Sequence, residues 1–171
     1  MIFLALDFET TGLDCAIGRV VEIGAIRFAV AAGACVEEAS LACLIDPGIP
    51  IPRQASAIHG LSDEDVAGAP AFREVAPSLL ALAAGSVIVA HNVRFDLSFL
   101  DAELSRLGIS RPAAPTEDTV ALSRRAFPGR ASYRLEAIAH ALGIDIGSSH
   151  RALDDARTCM LLYLACANQL R

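Results

Sequence analysis

"FLALDFETTGLD", residues 3–14, is an apolar run that carries two acids. Asp7 and Glu9 are separated by one phenylalanine, and two threonines and a glycine follow. Read as a strand, side chains at i and i+2 share a face. Asp7 and Glu9 then project together while Phe8 points the other way. Two partly buried carboxylates on one face repel, and one of them protonates unless a cation lies between them. Hard divalent cations take oxygen ligands, and magnesium commonly uses a few carboxylates plus water and phosphate. The competing reading is a solvated strand end on which two acids happen to alternate, and the pair alone leaves both open.

The remainder of the chain narrows the choice. Its 171 residues suit one domain, spanning 1–171, and 54% hydrophobic residues supply a sizeable core. Every basic residue is arginine, and the net charge is −6. That balance counts against holding nucleic acid by charge alone, but not against a site that recruits cations. Five cysteines, at 15, 35, 43, 159 and 166, form no CxxC pair. They read as reduced thiols of a cytoplasmic protein. The N-terminus lacks the basic region of a signal peptide, and no apolar run is long enough to span a bilayer, so no membrane partner is expected.

The periodicity predicts strands over 2–8, 19–30 and 34–45, joined by short links as an antiparallel meander. Short helical turns are expected within "ASAIHGLSDEDV", with Ser62 as an N-cap. Helical spacing follows over 70–84, then a short buried strand over 86–90 and a helix over 94–107. A last strand is expected near 113–116, and helices near 117–126, 132–142 and 151–169. The order describes an α/β fold with a mixed sheet covered by helices.

Two further clusters carry polar residues. "VIVAHNVRFDLSFL", residues 87–100, runs from a strand end into the helix that bears Asp96, the usual place for a site in α/β folds. Asp96 alone could equally be a first-turn acid favoured by the helix dipole. His91 and Asn92 are expected to cap and hydrogen-bond the turn. In "SSHRALDDARTCMLLYLAC", residues 148–166, Ala152, Asp155, Cys159, Leu162 and Cys166 fall on one helical stripe. Asp155 is thus expected on the core side, and Asp154 with Arg151 and Thr158 on a wetter face. A buried acid needs a partner. His150 sits in a serine-rich loop before that helix and, taken alone, reads as a surface or capping histidine. Four acids from three segments plus this histidine would compose a two-metal hydrolytic site, in which the ions clamp a phosphoryl group and activate water. An imidazole, with an ordinary pKa of about 6.5, can take the water's proton at neutral pH.

These three segments resemble the motifs of the DEDDh, or DnaQ-like, 3′–5′ exonucleases. "DFETTGLD" is similar to the first, "HNVRFDLSFL" to the second and "HRALDDA" to the third. The connecting stretches "IHGLSDEDV" and "TEDTVALSRRAFPGRASYRLEAIAHALGI" resemble that family too, from Ile2 to about Leu164. The nearest likeness is to the epsilon-type proofreading exonucleases of bacterial DNA polymerase III. The resemblance implies a ribonuclease H-like fold with a five-stranded mixed sheet, the meander plus parallel strands, flanked by helices. It implies Asp7, Glu9, Asp96 and Asp155 as ligands of two divalent cations, Mg2+ or Mn2+, and His150 as general base. Arg151 stands where the tyrosine subclass has its tyrosine, so that subclass is excluded. The family seats the 3′-terminal nucleotide at positions matching Thr10, Thr11, Gly12 and Leu13, and against Ile58 and His59. Ile58 could instead be plain core packing. The expected substrate is the 3′ end of single-stranded DNA, with RNA as the competing substrate and a DNA polymerase as partner protein. The chain ends at Arg171 without a polymerase-binding tail, as a stand-alone enzyme or an excised domain would. A non-catalytic module that binds nucleic-acid ends is the alternative outside the enzyme class.

Overall fold

The computed structural model describes residues 1–147 and 150–170. Its elements run β1 (Ile2–Thr10), β2 (Val20–Ala31), β3 (Ala34–Leu44), α1 (Arg53–His59), α2 (Asp63–Val66), α3 (Phe72–Ala83), β4 (Val87–Ala90), α4 (Val93–Arg106), β5 (Thr116–Asp118), α5 (Thr119–Ala126), α6 (Leu135–Ala141) and α7 (Ala152–Gln169). The sheet order is β3-β2-β1-β4-β5. The first three strands form the expected antiparallel meander, and β4 and β5 run parallel to β1. This is the mixed five-stranded sheet with flanking helices that the ribonuclease H-like fold requires.

One strand lies elsewhere than expected. β5 occupies Thr116–Asp118 rather than 113–116, and takes residues that the helical pattern had claimed. Its three residues pair with Ile88, Val89 and Ala90 of β4. The sheet's register places it, since "TED" has no apolar pattern of its own.

β1 has two different faces. Leu4, Leu6 and Phe8 pack with Phe72 and Leu79 of α3 and with Phe99 and Leu104 of α4. Phe3 and Ala5 pack with Ile26 and Phe28 of β2 and with Ala156, Cys159 and Met160 of α7. Asp7 and Glu9 continue the second set and face α7. A slip of one residue would drive both acids into the α3–α4 core, so the register is strongly held. Opposite Asp7 stands Gly24 of β2. A Cβ there would run into the Ala152 carbonyl, so only glycine lets the first turn of α7 come down onto the sheet.

α7 is buried on more than one side, because it packs on the sheet and against α5 and α6. Thr158, expected on a wet face, is therefore only 1% exposed. Its hydroxyl donates to the Asp154 carbonyl at 2.9 Å, which satisfies it. Ser62 stands at the N-cap of α2 as expected, and its amide and hydroxyl both donate to Asp65 Oδ2, at 2.7 and 2.6 Å. The five cysteines are free thiols, with Cys159 and Cys166 buried. Among the described residues no helix is long and apolar enough to cross a membrane. Ser148 and Ser149 of the loop before His150 lie outside the described residues.

Candidate active site

The acids converge at the carboxyl end of β1. Glu9, His150 and Asp155 each offer a ligand atom, and these atoms lie within 4.8 Å of one another. Asp7 and Asp155 line a cleft of about 350 Å³ with His150, Glu136, His91, Arg134 and Leu135. Asp96, on the first turn of α4, is 3% exposed, and its Oδ1 accepts from the Phe8 amide at 3.2 Å. The α7 stripe is buried at Ala152, Cys159, Leu162 and Cys166, while Asp155 on the same stripe opens to the cleft. Asp154 turns instead toward Gly147 and Arg157. His150 has φ +62°, and its amide donates to Asp155 Oδ2 at 3.2 Å.

The electrostatics are those of a crowded anionic site. Burial, then the charges of Asp96, Asp155, Glu9 and Glu22, hold Asp7 well above the ordinary carboxylate range. Asp96 is pushed up to about 8, chiefly by burial, although the Phe8 amide opposes this. Glu9 rises to about 7 through burial and the charges of Asp155 and Glu22, which Arg151 partly offsets. Asp155 rises to about 6, mainly by burial, against the stabilising His150 amide. Every shift disfavours ionisation, which is the condition a bound divalent cation reverses. Oxygen donors in this arrangement fit a hard cation such as Mg2+ or Mn2+.

The turn after β1 is built with little slack. Thr10 Oγ1 donates to the Gly12 carbonyl at 2.7 Å, and Thr11 Oγ1 accepts from the Arg19 amide at 2.9 Å. Both hydroxyls therefore hold the turn. Gly12 has an ordinary φ, and a Cβ there would meet nothing. Leu13 stands 86% exposed and Ile58 59% exposed, so Ile58 is not core. His59 is buried, with Nδ1 accepting from the Leu61 amide at 3.1 Å. Its Nε2 has no hydrogen-bond partner among the described residues. Burial and the nearby His150 lower its pKa. The Thr10 backbone counters part of that lowering without reaching hydrogen-bonding geometry. A buried, unsatisfied nitrogen beside the turn is a place where a ligand would find a partner.

Some residues escaped the sequence. Glu22 pairs across from Glu9 and is 4% exposed. It accepts from Arg151 Nη2 at 2.8 Å and from the Ala152 amide at 3.2 Å. It thereby seats the start of α7, which carries Asp155 and follows His150. Its signal was an acid inside the apolar stretch "VVEIGAI". Glu136 Oε1 lies 3.5 Å from His150 Nε2. His91 does more than cap a turn: Nε2 donates to the Tyr133 carbonyl at 2.8 Å, and Nδ1 lies 2.9 Å from Thr119 Oγ1. Asn92 adopts φ +74° at the start of α4 and makes no side-chain cap bond.

A family model described as an exonuclease matches residues 4–163, so it takes in all five of the clustered polar residues. The chain belongs to the exonuclease family. Its relatives include the DNA polymerase III subunit epsilon of Treponema pallidum, 39% identical over 163 residues, 94% of this chain and 74% of that protein. A PolC-type DNA polymerase III of Thermotoga maritima is 36% identical over 99% of this chain, which spans only 12% of that protein. Among solved structures, exonuclease X in complex with 5′-overhanging duplex DNA superposes with a TM-score of 0.77. It is 27% identical over 97% of this chain and 91% of its own. The protein is a 3′–5′ exonuclease of the epsilon-like kind, and enzymes of this family generally use divalent metals.

Proposed function

We propose that this exonuclease removes nucleoside 5′-monophosphates from the 3′ ends of single-stranded DNA, as one catalytic domain over 1–171. The observation that carries the reading is the meeting of Glu9, His150 and Asp155 within 4.8 Å, beside the half-buried Asp7 and the buried Asp96. Asp7, Glu9, Asp96 and Asp155 would hold two divalent cations, Mg2+ or Mn2+. Such ions, when bound, neutralise the charge that develops on the phosphoryl oxygens.

The side chains do the rest. His150 takes a proton from the attacking water as its oxygen bonds to phosphorus. The P–O3′ bond breaks, and the 3′ oxygen leaves with the shortened strand and takes a proton from solvent. Glu136, 3.5 Å from Nε2, stabilises the imidazolium that results. Thr10, Thr11 and Gly12 shape the seat of the terminal nucleotide through their backbone. Leu13 and Ile58 offer apolar contact to its base, and His59 Nε2 offers the unused donor. A DNA polymerase is the partner protein that the epsilon and PolC-type relatives suggest.

The test is a 3′-end degradation assay on matched single-stranded DNA and RNA with magnesium or manganese. Mononucleotides should appear from DNA faster than from RNA, and faster turnover of RNA would reverse the substrate assignment. His150→Ala should keep Mn2+ binding in a calorimetric titration and lose about a hundredfold or more in kcat. Undiminished kcat would remove His150 as the base.

A further inference from the structure

The cleft continues into a second recess. An open groove of about 440 Å³ lies beside it, lined by Val120, Arg124 and Tyr133 and sharing His91, Arg134 and Leu135 with the cleft. All of its lining but His91 comes from residues 119–135, a segment with four arginines and no acid in a chain of net charge −6; Arg124 and Arg134 line the groove itself. Arg124, Arg125, Arg130 and Arg134 are all exposed. Among the described residues none of them has a carboxylate partner, whereas Arg19, Arg27, Arg106, Arg111, Arg151 and Arg157 each have one.

Two of these guanidiniums lie over aromatic rings instead. Arg124 lies 5.0 Å from the centroid of Tyr133, and Arg130 lies 5.9 Å from that of Phe127. Tyr133 Oη donates to the Phe127 carbonyl at 2.9 Å, and the Tyr133 carbonyl accepts from His91. Stacking occupies the flat face of a guanidinium and leaves its N–H edge free for a planar anion. An unneutralised row of such edges next to an anionic cleft is otherwise unexplained by the fold.

We propose that this groove carries the phosphate backbone of the strand whose 3′ end enters the cleft, gripping the nucleotides that lie 5′ to the bond being cut. The proposal rests on the nuclease reading of the cleft and adds how the strand is held. Charge complementarity selects a polyanion, and the shared Arg134 makes the groove continuous with the cleft. An acidic protein segment would not need that continuity. Arginine–phosphate contacts release counterions, so the grip weakens with salt.

The test compares wild type with Arg124→Ala/Arg130→Ala, which leaves Arg134 intact. Binding is read by fluorescence anisotropy on a labelled oligothymidylate long enough to fill the groove, with calcium replacing magnesium. The variant should bind about tenfold more weakly, and the slope of log Kd against log salt should fall by about 1.4, or 0.7 for each lost contact. KM for degrading the same strand should rise in proportion, with kcat retained. Arg124→Lys/Arg130→Lys should recover most of the salt slope. The rise should be absent for the p-nitrophenyl ester of thymidine 5′-monophosphate, which is too short to leave the cleft. An unchanged Kd and slope, with wild type still degrading the strand, would overturn the groove and spare the nuclease reading. Equal losses on strand and ester would overturn it too. So would unchanged strand affinity with lost binding of polyglutamate, which would point to an acidic protein partner. Weakened strand binding in a protein that never cleaves would uphold the groove and sink the nuclease reading.

Discussion

Asp96 and Glu103 stand two turns apart on α4, on the same buried side, at 3% and 2% exposure. Their surroundings are opposite. Glu103 takes Arg19 in a two-pronged pair at 2.7 and 3.1 Å, the Val20 amide at 3.2 Å and Arg106 at 3.5 Å. Arg106 in turn bonds the carbonyls of Cys15, Ala16 and Gly18. Asp96 receives the Phe8 amide and is otherwise faced by the carboxylates of Asp7, Glu9 and Asp118. A buried acid supplied with its own cations fastens the β1–β2 turn to α4. A buried acid surrounded by other acids requires its cation from outside, and that requirement is what turns a packed helix into part of a site.

The comparison breaks or sharpens under substitution. Asp7→Asn should cost about a thousandfold or more in turnover, read by release of labelled mononucleotides, yet its metal-free thermal midpoint at pH 8 should match or exceed wild type. Glu103→Ala should do the reverse. Two partly exposed guanidiniums lose their shared partner, so we expect a loss of about 2–3 kcal/mol and a midpoint roughly 5–10 °C lower, with turnover per folded molecule far less affected at low temperature. If Asp7→Asn destabilises more than Glu103→Ala, the contrast is void. Glu22→Gln should fall between them, with kcat down about tenfold and KM nearly constant, because it seats the turn that carries His150 and Asp155. A change confined to KM would move Glu22 out of that role.

The smallest effect is on pH. The folded values of about 6 for Asp155, about 7 for Glu9 and about 8 for Asp96 lie above the ordinary carboxylate value. Between about pH 4 and those values the folded state holds more protons than the unfolded one. This contribution to stability is therefore complete below about pH 4 and is lost as pH rises toward 8. In a chelator, the wild-type midpoint should fall with rising pH relative to that of Asp96→Asn, and Mn2+ should remove the difference. A relative midpoint that climbs with pH would mean that the acids are not strained.

Much of this was legible in the sequence because it is periodic. Alternation in "FLALDFET" placed Asp7 and Glu9 on one face, and the α7 stripe separated Asp155 from Asp154. What was hidden depended on partners far along the chain. Thr158 is buried because helices from elsewhere cover it, and β5 is placed by its neighbour's register. Glu22 looked like any strand acid until Arg151, 129 residues away, closed on it. The arginines of 119–135 were visible as charges, but only the fold joins their groove to the cleft.

Gly24 ends as the least conspicuous of these residues and the one with the widest reach. It works as a spacer of zero thickness: the gap between helix and sheet, and so the bite of the jaws that Asp155 and Glu9 form, is set by a hydrogen atom where other residues carry carbon. A methyl group there would open the jaws without touching either acid.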